Sequence, residues 1–317
     1  MIILVTGGAG FIGSHLCNRL AVEGHQVVCL DSFDDFYDPE LKRRNIRETI
    51  GQGVFELMEG DIRDAQLVAR VFRKQTPDVV VHLAARPGVR PSIEYPKLYV
   101  EVNVQGTINI LNACREFGVK SFVFASSSSV YGGNSKVPFS EKDRVETPIS
   151  PYGATKKAGE LFCYTYHRLF GIDIACLRYF TVYGPRQRPE MAIHKFARLI
   201  DGNEKVPMYG DGQSMRDYTY IDDIIDGTLG AIHANRGYEI YNLGESRTTR
   251  LSDLIGMLEK ALGKRAVIEQ LPEQRGDMAI TYANIEKARK NLGYNPRFSM
   301  EEGIRRFVKW YRQNRCW

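Results

Sequence analysis

The stretch that decides the fold is Ile2–Glu23, which reads IILVTGGAGFIGSHLCNRLAVE. It begins with an apolar, β-rich run at Ile2–Thr6 and ends with an amphipathic segment at Ser14–Glu23. A Gly-x-x-Gly-x-x-Gly loop lies between them, in the strand-to-helix context that a dinucleotide-binding loop requires. Its glycines let the backbone turn tightly and approach a pyrophosphate, which then lies on the helix N-terminus. We therefore predict cofactor contacts along this loop, from Gly7, Gly10, Phe11, Ile12 and Gly13.

An acidic residue ends the second predicted strand, Gln26–Asp31. Asp31 lies eighteen residues after Gly13, where a carboxylate hydrogen-bonds the adenosine ribose hydroxyls. The same carboxylate would repel a 2′-phosphate, so the predicted cofactor is NAD rather than NADP. The alternative is a glycine-rich turn followed by an exposed aspartate.

Two further strand ends are candidates for cofactor contacts. Asp61 and Ile62 follow the predicted strand Val54–Gly60. Asp61 either meets the adenine edge or serves as a helix N-cap. Ala84 and Ala85 end the fourth predicted strand, where small side chains either let a ligand lie against the backbone or simply pack.

Strand-like and helical segments alternate through the first half of the chain. Strands with helical crossovers form a parallel sheet that is covered on both faces, so we predict an α/β fold with a Rossmann-like, doubly wound parallel sheet. The remaining predicted strands are Asp78–Ala84, Ser121–Ala125 and Ile174–Tyr179, and the predicted helices are Ala65–Lys74, Leu98–Phe117 and Pro151–Phe170.

After Phe180 the sequence becomes richer in loops that carry proline, glycine and arginine. We predict an NAD-binding Rossmann domain at 1–180 and a smaller C-terminal α/β domain for the substrate at 181–317. The segment at about 217–244 reads as strand, helix and strand, and we expect it to return to the first domain. The two domains are then interleaved along the chain.

Composition excludes several classes of function. The net charge of +5 is small for 317 residues and no run of like charges occurs, so nucleic acid is not a predicted partner. The six cysteines are scattered without a ligand-like spacing, which predicts no metal site and a reduced, cytoplasmic protein. No apolar stretch is long enough to span a bilayer, so no membrane association is expected.

A tyrosine and a lysine are placed four residues apart, at Tyr152 and Lys156, just after a predicted helix start. Ser150 is a good N-cap and Pro151 is well placed at the first helical position. Four residues is about one helical turn, so both side chains point from one face. We expect the ammonium to lower the pKa of the phenol, which then takes a proton from an alcohol near neutral pH.

With these residues assembled, the chain resembles the extended short-chain dehydrogenase/reductase family, in particular its nucleotide-sugar epimerases. The resemblance spans nearly the whole chain and its motifs occur in the family's order. They are VTGGAGFIGSHL, GDIRD, HLAA, NVQGT, ASSSSVYG, SPYGATK, LRYFTVYGPRQRP, RDYTYIDD and NLG.

The resemblance implies a role for each matching residue. Tyr152 is the expected catalytic acid/base, and Lys156 holds the nicotinamide ribose. Ser127 occupies the family's catalytic Ser/Thr position and hydrogen-bonds the sugar 4-hydroxyl, although it could be a polar loop residue only. The other implied contacts are Asn103 and Tyr179 near the cofactor, Thr181 near the sugar, Arg216 at the substrate diphosphate and Asp277 at the nucleotide ribose.

Two serines narrow the reaction. The family's 4,6-dehydratases carry an Asp-Glu pair just after the catalytic threonine, and its UDP-glucuronate decarboxylases typically carry a glutamate at the second position. Here Ser128 and Ser129 occupy these positions. The resemblance therefore implies oxidation at C4 and hydride return to the other face of the sugar, which is 4-epimerization with NAD.

The sugar is predicted from two stretches that look like UDP-glucuronate 4-epimerases, Phe33–Asn45 and Phe180–Ala192. The arginines Arg90, Arg186 and Arg188 suit a hexuronate carboxylate, because a guanidinium can bind it with two hydrogen bonds. These arginines could instead contact phosphate, protein carboxylates or a second subunit. The competing predictions are a UDP-glucose or relaxed UDP-hexose epimerase and, more distantly, a non-catalytic NAD and nucleotide sensor.

Family similarity also implies a homodimer. The helices predicted at Leu98–Phe117 and Pro151–Phe170 would form a four-helix interface with a second subunit. Its apolar surface would come from Leu111, Phe117, Phe162 and Tyr166, unless these side chains face the core.

Overall fold

A computed structural model describes residues 1–51, 53–272 and 280–314. Its largest element is a parallel sheet of seven strands in the order β11-β6-β5-β4-β1-β2-β3. The strands are β1 (Ile2–Thr6), β2 (Gln26–Asp31), β3 (Phe55–Glu59), β4 (Val79–His82), β5 (Ser121–Ser127), β6 (Asp173–Tyr179), β7 (Thr181–Tyr183), β8 (Lys205–Tyr209), β9 (Met215–Arg216), β10 (Tyr218–Tyr220), β11 (Tyr238–Leu243), β12 (Thr249–Arg250) and β13 (Val267–Leu271).

Helices connect the strands of this sheet and extend beyond them. They are α1 (Phe11–Val22), α2 (Pro39–Ile50), α3 (Ala65–Gln75), α4 (Val89–Glu94), α5 (Pro96–Tyr99), α6 (Gly106–Glu116), α7 (Pro151–Phe170), α8 (Ala192–Asp201), α9 (Ile221–Ala234), α10 (Leu251–Leu262), α11 (Glu286–Leu292) and α12 (Met300–Gln313).

The core lies on both faces of the sheet. Successive strand residues alternate between two apolar clusters, so that Ile3 and Val5 face one cluster while Leu4 faces the other. Helices α1, α2 and α9 pack on the first face, and helices α3, α6 and α7 pack on the second. This arrangement confirms the predicted doubly wound sheet.

The helix predicted at Leu98–Phe117 is divided in the structure. A π-helical turn at Val100–Gln105 separates α5 from α6. Within this turn the buried Asn103 side chain bonds the backbone of Arg86 on both sides, accepting from its N–H at 2.7 Å and donating to its carbonyl at 3.1 Å. Sequence periodicity could not reveal this turn, because the bonds join the helix to the loop after β4.

A buried ion pair attaches α7 to the sheet. The Arg178 guanidinium donates to both oxygens of the Glu160 carboxylate at 2.8 and 2.9 Å, and the Ser126 hydroxyl donates to the same carboxylate at 2.7 Å. Both charged side chains are almost fully buried, at 1% and 0% exposure. Helix α7 is therefore fixed against β5 and β6, and with it the orientation of its first turn.

The chain after β6 builds three small two-stranded sheets, β7 with β10, β9 with β12 and β8 with β13. It then rejoins the large sheet, because β11 pairs with β6. The Asp217 carboxylate is central to this region. It accepts hydrogen bonds from the backbone N–H groups of Glu245, Ser246 and Ala283 and from the Thr219 hydroxyl.

Candidate functional site

One cavity opens at the carboxyl ends of the large sheet's strands, on either side of the point where the strand order reverses between β1 and β4. Ligands of open α/β sheets bind at this switch point. Its lining includes Gly7, Gly10, Phe11, Ile12, Gly13, Asp31, Asp61, Ile62, Ala84, Ala85, Tyr152, Lys156 and Arg188, all predicted site residues, together with Asp34, Phe36, Tyr37, Lys42, Arg86 and Val102.

The glycine loop is closed so tightly that side chains cannot enter it. A Cβ at Gly13 would lie 2.2 Å from the Gly7 carbonyl oxygen. Gly7 itself has a φ of +70°, and a Cβ there would lie 2.8 Å from the Ala84 nitrogen. Gly10 is the N-cap of α1 and offers no side chain to cap it, which leaves the first N–H groups of the helix directed at the cavity. A pyrophosphate fits this cradle.

Asp31 is held by the backbone in a position to bind a ligand. Its carboxylate accepts the N–H of Ala9 at 3.0 Å and the N–H of Phe33 at 2.9 Å. Burial raises the pKa of Asp31, and the nearby Lys42 ammonium opposes this rise. Each carboxylate oxygen keeps a further lone pair, which the hydroxyls of an adenosine ribose can occupy.

Asp61 is not the N-cap of the following helix. Asp64 has that role, since its carboxylate accepts the N–H groups of Gln66 and Leu67. Asp61 instead binds the Arg63 guanidinium at 2.7 Å while it lines the cavity. Burial raises the pKa of Asp61, but hydrogen bonds from Arg63 outweigh this effect and the pKa is lowered. An ionised acceptor at the adenine end of the cavity is the result.

Tyr152 and Lys156 project from the first turns of α7 into the cavity. Ser150 caps this helix by accepting the N–H of Gly153, as the sequence predicts. The lysine ammonium lies 6.0 Å from the Tyr152 ring centroid and donates to the Ala125 carbonyl at 2.7 Å. The Tyr99 ring meets the Tyr152 ring edge to face, with centroids 6.3 Å apart.

The expectation that the ammonium lowers the pKa of the phenol is wrong for the protein without ligands. Burial raises the pKa of Tyr152, and only the Ser127 hydrogen bond and the Arg188 charge work against it. Burial also lowers the pKa of Lys156 to about 8. Lys156 therefore remains mostly protonated at neutral pH, but its charge does not offset the burial of the Tyr152 phenol, which sequence spacing could not reveal.

The serine run lies at the end of β5. The Ser127 hydroxyl accepts the N–H of Ser129 at 3.1 Å and lies 3.2 Å from the Ser129 hydroxyl. Ser128 and Ser129 begin a short 3-10 turn and are half-buried. Ser127 thus connects the catalytic candidate Tyr152 with the Ser129 hydroxyl.

Two predicted cofactor residues have other contacts. The Asn103 amide bonds Arg86 and donates to the Thr155 hydroxyl at 3.1 Å, so it joins the β4 loop to α7. The Tyr179 hydroxyl lies 2.9 Å from the Thr228 hydroxyl of α9. Neither residue is among those that line the cavity, and their contacts with the cofactor remain predictions.

The two loop arginines after β7 diverge. Arg188 lines the cavity and lies close enough to Tyr152 to lower its pKa. Arg186 has a φ of +64°, which turns its side chain toward α2, where its guanidinium is 3.9 Å from the Glu48 carboxylate. Arg186 thus lies beside α2 and is not among the described residues that line the cavity.

The other substrate candidates contact, or belong to, the part of the chain after β6. The Arg90 guanidinium lies 5.3 Å from the Tyr209 ring centroid, so it joins the region after β4 to β8. The Thr181 N–H donates to the Asp217 carbonyl at 3.1 Å, and Arg216 lies on β9 beside β12. Asp277 lies outside the described residues.

Sequence reasoning missed several cavity residues on the loop after β2 and the loop after β4. The Lys42 ammonium donates to the Asp34 carbonyl at 2.7 Å, and the Arg86 guanidinium pairs with the Asp34 carboxylate. The Tyr37 hydroxyl is buried without a hydrogen-bond partner, although Tyr37 lines the cavity. An orphaned buried hydroxyl in a cavity indicates a ligand contact. The stretch Phe33–Asn45, from which the sugar is predicted, also contains Asp34, Tyr37 and Lys42.

The glycine cradle, the ribose-facing Asp31 and the orphaned Tyr37 hydroxyl fit a bound dinucleotide. Beside them lies a tyrosine–lysine pair that can move a proton on an alcohol. Fold and site therefore define a dinucleotide-dependent enzyme that acts on a hydroxyl group.

Comparison with known proteins makes this class specific. The profile of the NAD dependent epimerase/dehydratase family matches residues 3–244, and the chain belongs to this family. The UDP-glucuronate 4-epimerase of Thermodesulfobacterium geofontis is 44% identical over 312 residues, which cover 98% of this chain and 96% of that protein.

Solved structures agree with this similarity. The crystal structure of UDP-glucuronic acid 4-epimerase from Bacillus cereus, in complex with UDP-glucuronic acid and NAD, matches with a TM-score of 0.93 at 40% identity and covers 99% of both chains. UDP-glucose 4-epimerase from Thermotoga maritima, with UDP-glucose, matches with a TM-score of 0.92 at 33% identity over 99% of both chains.

A group of metal-ligand side chains lies at the far ends of α1 and α9. Glu23, His25 and His233 bring one donor atom each to within 4.8 Å of one another. The Glu23 carboxylate is already paired with the Arg19 guanidinium at 2.7 Å, so we assign no metal there. Within the described ranges, no helix is long and apolar enough to cross a membrane.

The buried lysine makes the stability of the cofactor-free protein depend on pH. The pKa of Lys156 is about 8 in the folded protein against an ordinary 10.5, so below pH 8 the folded state carries the cost of a buried charge. This cost disappears as the pH rises from 8 to 10.5. We expect the difference in unfolding free energy between the wild type and Lys156→Met to move in favour of the wild type by about 3 kcal/mol across this window. Urea titrations at several pH values measure it, and a constant difference would contradict the assignment.

Proposed function

We propose that this chain is an NAD-dependent UDP-glucuronate 4-epimerase that forms UDP-galacturonate. The observation that carries the proposal is the position of Arg188, which lines the same cavity as Tyr152 and acts on its pKa. A guanidinium there can hold a carboxylate beside the reacting carbon. The similarity to UDP-glucuronate 4-epimerases over 98% of the chain supports the same substrate.

The protein's own groups account for the proton movements. Tyr152 takes the proton of the sugar 4-hydroxyl, and Ser127 hydrogen-bonds the same oxygen. Bound NAD supplies a hydride acceptor at C4 in the first half of the reaction and a hydride donor in the second. The resulting 4-keto sugar rotates within the cavity and presents its other face, after which Tyr152 returns the proton to the inverted 4-hydroxyl.

Ser128 and Ser129 restrict the chemistry to epimerization. Dehydration requires an acid and a base for the carbons next to the ketone, and neither serine can supply a carboxylate at these positions. Their hydroxyls, together with that of Thr181, are instead suited to hydrogen-bond the substrate carboxylate.

Binding the carboxylate in one orientation also protects the 4-keto intermediate from decarboxylation. A 4-ketouronate is a β-keto acid and loses CO₂ when the bond to the carboxylate overlaps the carbonyl π system. Binding the carboxylate with that bond in the ring plane suppresses the loss. We assign this carboxylate binding to Arg188, together with the hydroxyls of Ser128, Ser129 and Thr181.

The transfer of hydrogen at C4 tests the reaction. We expect UDP-glucuronate with deuterium at C4 to give UDP-galacturonate that keeps the deuterium at the same carbon, without added NAD, because the hydride never leaves the site. NMR of the product measures the label. Loss of the label to free dinucleotide, or no conversion at all as in a non-catalytic sensor, would contradict the proposal.

Arg188→Ala tests the substrate. Removing the guanidinium leaves the carboxylate without its main partner, so kcat/KM for UDP-glucuronate should fall about 100-fold, in the range expected for a buried charge pair. Activity on UDP-glucose should fall less, because that sugar has no carboxylate and loses only the effect of the Arg188 charge on the pKa of Tyr152. Parallel kinetics on both sugars measure this, with Arg186→Ala as the matched control from the same loop. Equal losses on both sugars would favour the alternative, a relaxed UDP-hexose epimerase.

The proposal also assigns one ligand to each part of the chain. Residues 1–180, with the returning segment at about 217–244, would bind NAD, and the rest of 181–317 would bind the nucleotide sugar, with Arg216 at the diphosphate and Asp277 at the ribose. The joining of β11 to the large sheet supports this division. A cytoplasmic location is supported by the described cysteines, which are free and buried.

We further propose a homodimer through α7 and the π-helical turn before α6, on different residues from those predicted. Leu111 is fully buried, and Phe117, Phe162 and Tyr166 pack against the same core cluster, so these side chains do not supply an interface. Three exposed apolar side chains support one instead, at 52%, 56% and 49% exposure: Val100, Leu161 and Tyr164.

A charge in this patch tests the dimer. Leu161→Glu should shift the protein to a monomer, because it places a carboxylate in an apolar interface. Sedimentation velocity measures the mass. Val22→Glu is the matched control, since Val22 is 69% exposed on α1, on the opposite face of the sheet. A wild type that sediments as a monomer would refute the proposal.

A further inference from the structure

The Phe36 ring lies between two arginines of the cavity. Its centroid is 5.3 Å from the Arg86 guanidinium and 5.8 Å from the Arg188 guanidinium. A Cβ added at Gly88 would lie 3.8 Å from the ring's Cζ atom, so the ring edge also lies near the backbone after β4. Three loops, after β2, β4 and β7, therefore meet on one side chain.

Two of these three loops are firmly fixed to each other. The Asp34 carboxylate accepts the Phe36 N–H at 2.8 Å and pairs with the Arg86 guanidinium. The Arg86 N–H in turn donates to the buried Asn103 amide at 2.7 Å. The ring is thus a rigid surface, attached to the sheet and to the π-helical turn.

The Arg188 side chain is fixed less firmly than that of Arg86. The Arg188 guanidinium pairs with Glu190, two residues further along, at 2.7 Å, and the Glu190 side chain is 44% exposed. An exposed pair of this kind contributes little to the position of either side chain. The face of an aromatic ring attracts a guanidinium within about 6 Å and accepts it in a defined orientation.

We propose that Phe36 is a positioning residue that determines specificity for the uronate. Its ring holds the Arg188 guanidinium toward Tyr152 while the guanidinium keeps its exposed ion pair with Glu190, and the ring itself does not contact the sugar carboxylate. This inference deepens the proposed function and depends on it.

Loss of the ring has a chemical consequence as well as a binding one. Without the Phe36 ring, only the exposed Glu190 pair holds the Arg188 guanidinium, and the carboxylate of the 4-keto intermediate can rotate out of the plane of the sugar ring. The C5–C6 bond then breaks, its electron pair forms the C4–C5 enolate, CO₂ leaves, and C5 takes a proton from solvent. A misplaced Arg188 therefore gives CO₂ and a 4-keto pentose nucleotide in place of the epimer, and the hydride taken from C4 remains on the bound dinucleotide.

The experiment compares holoenzyme variants on two sugars. Phe36→Leu removes the ring but keeps apolar volume, and Phe36→Tyr keeps the ring. Arg43→Gln is the matched control, because the Arg43 guanidinium lies 4.2 Å from the Phe33 ring on the same loop, outside the cavity lining. The readouts are KM and kcat on UDP-glucuronate and UDP-glucose, CO₂ released per epimer formed, and NAD content.

We expect Phe36→Leu to raise KM for UDP-glucuronate about tenfold, the order of one cation–π contact in a desolvated site. CO₂ release per turnover should rise several-fold. KM and kcat on UDP-glucose should change less than about twofold, and the total amount of bound dinucleotide, oxidised plus reduced, should be unchanged. Phe36→Tyr and Arg43→Gln should behave as the wild type.

Two results would overturn the inference and they are distinguishable. Equal losses of Phe36→Leu on both sugars, or wild-type behaviour on both, would remove the role of Phe36 and leave the proposed function intact. A wild type that converts UDP-glucose but not UDP-glucuronate would overturn the proposed function, and this inference with it.

Discussion

The absence of a side chain at Gly13 is the constraint on which the rest of the site depends. A single added carbon would lie 2.2 Å from the Gly7 carbonyl oxygen, and no relaxation of a side chain could relieve it, because the obstacle is backbone. The first turn of α1 can therefore approach β1 closely enough for its N–H groups to face the cavity. Every other feature of the site, from the ribose-binding Asp31 to the first turn of α7, is arranged around a cofactor that this approach admits.

Local sequence carries much of this arrangement and non-local packing carries the rest. The glycine loop, Asp31, Tyr152 and Lys156 could be located from spacing alone, since each lies at a strand end or on one helical turn. Arg188 and Arg186 could not be told apart by sequence, because a positive φ at Arg186 sends two neighbouring arginines in different directions. The sign of the shift in the pKa of Tyr152 also required the fold, because it comes from burial by several elements at once.

The assembly of Phe36, Arg86 and Arg188 illustrates why specificity residues are the hardest to predict. They come from three loops that are distant in the chain and adjacent only where parallel strands end together. The ion pair and hydrogen bonds of Asp34 join two of these loops, and an aromatic face reaches the third. The scaffold that binds UDP-glucose in one relative and UDP-glucuronic acid in another thus leaves its choice of sugar to short connecting segments.

The return of β11 to the large sheet affects how such an enzyme can move. The polypeptide leaves this sheet after β6, builds part of the smaller sheets, comes back to pair with β6 through β11, and leaves again. A unit that is joined to the sheet by one connection can rotate about it. Several chain crossings between the unit and the sheet restrain such rotation. Nucleotide sugars would then enter and depart through rearranged surface loops, while the dinucleotide beneath them stays enclosed from one turnover to the next.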